Sequence, residues 1–276
     1  MKNRLLVAGV GIPLILLVFF VLPEPLTPTA VALLSAIGTY EAMHAIGMNH
    51  PRIALYTAIV AMIVPFWVYG GESRTVALAV LLVYLILVFV EAFLSRFRVK
   101  IDRVGSAFFF ALLISYCLSS VVRIGMMELR TSYILLPLAL AFAADAFAML
   151  TGMFVRKRKG DEGIRQLAPV LSPKKTVEGS IGGLVGCVII AVLYGLVFHL
   201  ITDVTVNYYF LAVYGILGGV ITEFGDLAFS YIKRTRKIKD FGSLLPGHGG
   251  VMDRFDSVIF CAPLVEILID WIPVFK

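Results

Sequence analysis

The sequence predicts an all-α fold, a polytopic bundle of about nine membrane-spanning helices, and three observations predict it. Of the 276 residues, 60% are hydrophobic and only 15% charged, too little charge to cover a water-soluble domain of that length. The apolar residues fall in runs of about 20, the length at which an α-helix crosses the hydrocarbon core of a bilayer. With the N-terminus placed in the cytoplasm, all but four of the 24 Lys and Arg residues fall on the cytoplasmic side, the bias that orients membrane helices.

The spans follow in order. The first, 5–22, comes after Lys2 and Arg4 and stops at Pro23-Glu24-Pro25. It is long for a signal peptide and no small-residue cleavage site follows it, so it is expected to stay as a helix. The next two cover 28–48 and 53–69, the latter stopped by Gly70-Gly71. Then come 76–94, 104–122, 133–155, 181–201, 208–232 and 255–275. Lipid satisfies no backbone N–H or C=O, and these unbroken runs lack the alternation of a barrel strand, so helices are the fitting element. The basic residues left outside are Arg74, Arg123, Arg130 and Lys276. The whole chain, 1–276, is expected to be one integral membrane domain of the cell (inner) membrane, with its active site at about 140–276, facing the cytoplasm. Cys117, Cys187 and Cys261 sit apart in apolar runs and read as reduced packing residues. The net charge of +6 follows from the basic bias. No aromatic–basic interleaving marks a nucleic-acid partner, and the sequence leaves a homodimer open.

Two cytoplasmic loops, 156–180 and 233–254, are longer than the rest and richer in special residues. Arg156 to Lys159 read most simply as a topology signal or a patch for anionic headgroups. The second loop mixes cations with Asp240, Asp253 and Asp256 and carries Pro246-Gly247-His248-Gly249-Gly250. Glycines let backbone N–H groups close on an anion, and carboxylates hold a divalent ion that bridges phosphates. Asp253 and Asp256 are three apart at the start of the last span, as are Glu223 and Asp226 near the cytoplasmic end of the eighth, with Ser230 four further on. Such spacings share a helix face, and a carboxylate in a membrane helix needs a partner. One or two Mg²⁺ ions between Asp226 and Asp256 would serve. The alternative is a carboxylate–arginine bridge from Asp226 or Asp253 to Arg234 or Arg254. Asp145, inside the sixth span, either reaches the same site or pairs with a polar group, while Glu41 and Glu266 read as structurally paired.

These residues resemble a known family. Ser230-Tyr231-Ile232-Lys233-Arg234 through Lys239-Asp240, Gly242, Leu245-Pro246, His248-Gly249-Gly250 and Asp253-Arg254-Phe255-Asp256 are similar to the signature of CDP-diacylglycerol synthases, the phosphatidate cytidylyltransferases. Ser172-Pro173-Lys174-Lys175-Thr176, with Glu178, resembles that family's preceding loop. The resemblance implies an Mg²⁺-dependent reaction of CTP with phosphatidate, giving CDP-diacylglycerol and pyrophosphate for phospholipid synthesis. It implies Asp226, Asp253 and Asp256 as metal-binding catalytic residues, with Lys239 beside them; Asp145 is a further candidate from its place in the sixth span. Ser172, Lys174, Lys175, Thr176, Ser230, Lys233, Arg234, His248, Gly249, Gly250 and Arg254 become candidates for substrate contacts. The cytidine preference comes from the resemblance alone. A CDP-alcohol phosphotransferase would carry a D-G-x-x-A-R pattern, which this chain lacks. A transporter would spread polar residues through the depth of several spans. An enzyme acting on an ether or isoprenoid lipid with CTP stays open.

Overall fold

The computed structural model describes residues 13, 15–21, 23–96, 98–160, 164–244 and 249–276. Among them are nine α-helices, and the chain is nearly all-α. They are α1 (Leu26–Ala45), α2 (Pro51–Tyr69), α3 (Arg74–Leu94), α4 (Ile101–Gly125), α5 (Arg130–Tyr133), α6 (Leu136–Lys159), α7 (Val177–Ile201), α8 (Tyr208–Thr235) and α9 (Met252–Trp271). The predicted span 5–22 lies largely outside the described residues, and a π-helical turn, Leu17–Val21, falls within it. The other eight predicted spans are helical.

Among the described residues, six helices are long and apolar enough to cross a membrane: α2, α3, α4, the stretch Arg130–Arg158, α7 and α8. Both α1 and α9 have 20 residues but a different composition. Glu41 and His44 lie in α1, and Asp253, Arg254, Asp256, Glu266 and Asp270 in α9. The count of nine spans therefore included two helices whose polar content marks them out. The clearest span is α3. Leu78, Leu82, Val83, Ile86, Phe93 and Leu94 are all more than half exposed, an apolar surface that suits lipid and not water. Its polar groups within the span, Tyr84 and Glu91, turn inward instead. Tyr84 Oη lies 3.0 Å from Thr57 Oγ1, and Arg52 Nη1 donates to Glu91 Oε1 at 3.2 Å.

Local chemistry sets the helix ends. Pro51 opens α2, where its missing N–H costs nothing. Gly71, at φ 92°, takes the left-handed backbone that ends it. The chain divides into two compact units, 1–126 with 236–255 and 127–235 with 256–276. In the first unit α1, α2 and α4 pack together and α3 lies on α2.

In the second unit α7 packs between α6 and α8, and glycines allow the close approach. A Cβ on Gly183 would stand 2.7 Å from the Ala144 carbonyl oxygen, and one on Gly215 would stand 2.6 Å from Val188 Cα. Small residues four apart, such as Gly179/Gly183 and Gly215/Gly219, let helix backbones meet where lipid supplies no hydrophobic drive. Because Gly215 faces backbone, no rotamer change relieves an added methyl. Gly215→Ala is therefore expected to cost about 1–3 kcal/mol and to lower the thermal unfolding midpoint in detergent. Gly105→Ala, in α4 with nothing within 4 Å of the new Cβ, should leave the midpoint unchanged or raise it. Equal midpoints for the two variants would rule out this packing account.

Candidate active site

The loop between α6 and α7 holds a short antiparallel hairpin absent from the sequence reading, β1 (Gln166–Ala168) paired with β2 (Ser172–Thr176). Gln166 faces Thr176 and Ala168 faces Ser172. Successive strand residues point to opposite faces. Lys174 accordingly projects outward while Lys175 turns in and is half-buried. Thr176 then caps α7, its Oγ1 accepting from Gly179 N at 2.9 Å. Predicted as a substrate contact, this buried hydroxyl has a cap to hold. Val177 N donates to Arg165 O at 2.9 Å and ties the helix start to the chain before β1. Glu178, in the first turn where the helix dipole favours an acid, faces Arg165 Nε at 3.8 Å.

Lys175 Nζ reaches α8 and lies 2.6 Å from both Glu223 Oε1 and Asp226 Oδ2. The two acids are three residues apart on one helix face, as the spacing predicts. On α6, Asp145 Oδ2 accepts from Ser257 Oγ at 3.2 Å. Asp256 Oδ1 accepts from Ser257 N at 2.8 Å, and its Oδ2 lies 3.6 Å from Lys233 Nζ. Lys233 and Asp256 are both buried, at 7% and 6% exposure. Asp145, Asp226 and Asp256 are near enough for their charges to act on one another. The second unit thus brings Asp145, Lys175, Glu223, Asp226, Lys233, Asp256 and Ser257 into one polar group. Ser230 is buried one turn beyond Asp226. The partners of Asp226 and Asp256 are lysines, where the sequence alternative named arginines. Arg234, exposed, donates from Nε to Leu171 O at 3.1 Å, tying the end of α8 to the hairpin turn.

In the first unit the second glycine loop is built around two carboxylates. Asp253 Oδ2 accepts from Phe241 N at 2.7 Å and Gly250 N at 3.0 Å. Glu41 Oε2, from α1, accepts from Met252 N at 2.8 Å. Gly250 passes so close to Glu41 that a Cβ would stand 2.8 Å from its Cδ. Gly249 has φ 85°, the left-handed region that favours glycine. Lys239, Asp240 and Arg254 are exposed. His248, predicted as a phosphate contact, lies outside the described residues together with Leu245, Pro246 and Gly247. The structural role expected of Glu41 is visible here. Ser257 was missed because a serine next to an aspartate is too common a pair to signal anything, and Glu223 was noticed without being given a partner.

Among the described residues, four carboxylates (Asp145, Glu223, Asp226 and Asp256) are gathered with two ammonium groups, so with all four ionised the group would be short of two positive charges. A divalent cation fits that deficit and the all-oxygen donor set. Among the described residues no three His, Cys, Asp or Glu side chains are gathered closely enough to hold an ion alone. Mg²⁺ commonly takes one or two carboxylates and is completed by phosphate oxygens and water.

Lys175 also has a pH signature. Burial by itself lowers its pKa, but the Asp226 and Glu223 carboxylates outweigh burial and hold it above the ordinary lysine value. A raised folded-state pKa gives stability that is complete below the unfolded lysine pKa and lost as pH climbs through the folded one. Thermal midpoints should therefore fall more steeply on the alkaline side for the wild type than for Lys175→Met. Parallel pH profiles would contradict this.

Fold and site together define a helical membrane protein with a charged, acid-rich group set among its spans. The chain belongs to the Cytidylyltransferase family, whose family model matches residues 2–272. It is 36% identical over 163 residues to a phosphatidate cytidylyltransferase of Staphylococcus epidermidis (strain RP62A), covering 56% of this chain and 58% of that one. It is 32% identical over 199 residues to a phosphatidate cytidylyltransferase of Bacillus subtilis (strain 168), covering 72% and 67%. A phosphatidate cytidylyltransferase of Staphylococcus aureus (strain COL) is 38% identical over 163 residues, covering 56% and 58%. The matched stretch thus spans little more than half the length of the staphylococcal relatives and two thirds of the Bacillus one.

Proposed function

We propose that this protein is a phosphatidate cytidylyltransferase, transferring CMP from CTP to phosphatidate and releasing pyrophosphate, with Mg²⁺ as cofactor. The observation that carries the reading is the acid-rich group around Asp226, with its deficit of positive charge, in a chain of the Cytidylyltransferase family. Two polyanions must meet here, so the task is electrostatic and positional and calls for no proton abstraction. A phosphatidate phosphate oxygen attacks the α-phosphorus of CTP, the bond from that phosphorus to the bridging oxygen breaks, and pyrophosphate leaves with the electron pair. Bound Mg²⁺ would screen the phosphates and stabilise the leaving group.

Asp226 and Asp256 would hold the ion, with Asp145, kept in place by Ser257, supporting them. Asp253 organises the glycine loop by accepting from Phe241 N and Gly250 N, and Gly249 and Gly250 would lie along the substrate. Lys174 in the second unit, and Arg254 and Lys239 in the first, are exposed and are assigned to phosphate contacts on the family resemblance. Ser172, Ser230, Lys233, Arg234 and His248 complete the substrate set. The positive-inside bias supports a cytoplasmic N-terminus in the cell membrane, with CTP arriving from the cytoplasm and the lipid tails remaining in the bilayer.

Purified protein given labelled CTP and phosphatidate should place label in the organic phase only when Mg²⁺ is present. No labelled lipid under saturating conditions would overturn the reading. Preference for an ether or isoprenoid phosphate would change the acceptor and keep the reaction class.

A further inference from the structure

The Lys175 contacts carry a consequence for how the ion would be captured. Its ammonium lies 2.6 Å from one oxygen of Glu223 and 2.6 Å from one oxygen of Asp226. Magnesium binds oxygen at about 2.0–2.1 Å. An ammonium and a divalent ion sharing an oxygen would stand about 4 Å apart, like charge against like charge where little water screens them, so each disfavours the other.

The backbone of Lys175 is held in place. It lies in β2, one residue before the Thr176 cap, with Val177 N bonded to Arg165 O. Above Cβ the side chain is a flexible stem, and only its tip need move.

We propose that Lys175 is an exchangeable counter-cation: it occupies the Glu223–Asp226 pair while the site is empty and releases Asp226 to the divalent ion, passing its charge to the nucleotide phosphates. This rests on the reading of the acid-rich group as the site for that ion. Until substrate arrives, the lysine keeps two carboxylates on one helix face from repelling each other. It also makes the empty protein a poor ligand for free metal. Nucleotide phosphate then favours the exchange twice, by attracting the displaced ammonium and by adding oxygen ligands to the ion. Ion and nucleotide therefore bind cooperatively, and by linkage each raises the affinity of the other by the same factor.

The test uses Mn²⁺ as probe and the purified full chain in detergent, without phosphatidate, with binding read by electron paramagnetic resonance of free Mn²⁺. Lys175→Met should bind Mn²⁺ about tenfold more tightly than wild type, and Lys175→Arg, which keeps the charge, within about twofold of it. CTP should strengthen Mn²⁺ binding more in wild type than in Lys175→Met. A purely structural lysine would give the opposite sign, because its loss would loosen the carboxylates and weaken the metal.

Unchanged or weaker binding by Lys175→Met overturns the proposal. Asp226→Asn separates this from the underlying reading. It should abolish tight Mn²⁺ binding, and if it does not, the site reading fails and this proposal with it. Should Lys175→Met not yield folded protein, amine labelling of the wild type decides. Mn²⁺ together with CTP should change the labelling of Lys175 severalfold relative to the empty protein, and unaltered labelling refutes the exchange.

Discussion

Asp226→Asn is expected to lower turnover by at least about a hundredfold, the scale on which losing one preorganised electrostatic partner acts, while the protein still inserts and elutes as a single species. Asparagine matches aspartate in shape, so the packing of α8 against α7 is preserved. Lys175 keeps Glu223, 2.6 Å away, and the half-buried ammonium is not left without a counter-charge. What disappears is one negative charge from the set that Asp145, Glu223, Asp226 and Asp256 present. If that set attracts a divalent ion, removing the member beside Lys175 should raise the Mg²⁺ concentration needed for half-maximal rate as well as lower the maximum. Glu223→Gln makes the comparison sharper. It removes a charge from the same lysine one helical turn away, and a smaller loss there would show that Asp226 acts on more than Lys175. Asp226→Asn turning over within about threefold of wild type at saturating Mg²⁺, well short of such losses, would remove the metal assignment.

Much of the fold was legible because lipid is a demanding solvent. Leu78 to Leu94 of α3 could hardly be anything but a membrane helix once its length and its single charged residue, Glu91, were seen. The signal is weaker in α1 and α9, where Glu41, Asp253 and Asp256 lower the apolar content because they have other work. The hairpin was hidden for a different reason. Strands of three and five residues have no measurable period, and the paired cations Lys174-Lys175 in β2 have the composition of a solvated loop. The site residues were legible one by one and the contacts between them were not. Lys175 meets Glu223 across 48 positions and Ser257 meets Asp145 across 112. No local pattern announces a pairing at that separation. The glycine steps at Gly179/Gly183 and Gly215/Gly219 were there to be read, and treating the spans as generic hydrophobic helices passed over them.

For Asp253 the sequence and the structure ask different things of one carboxylate, and two substitutions separate them. Its Oδ2 takes N–H groups from Phe241 and Gly250, both buried. Those are charge-assisted bonds to backbone, the kind that fixes a loop. Asp253→Asn keeps an oxygen able to accept from both N–H groups while removing the charge. Asp253→Leu removes both acceptors and leaves two buried donors, each costing about 1–3 kcal/mol. Trypsin reports on the segment directly, since Arg236, Lys237 and Lys239 lie within it and are exposed. Asp253→Leu is therefore expected to lose turnover and be cut rapidly at 236–239. Asp253→Asn should resist trypsin nearly as well as wild type and, if its charge serves the reaction as the proposed function has it, still lose about a hundredfold in turnover. If Asp253→Asn keeps full activity, Asp253 is an anchor for the glycine loop and nothing more, and the ion must be held by Asp226 and Asp256 without it.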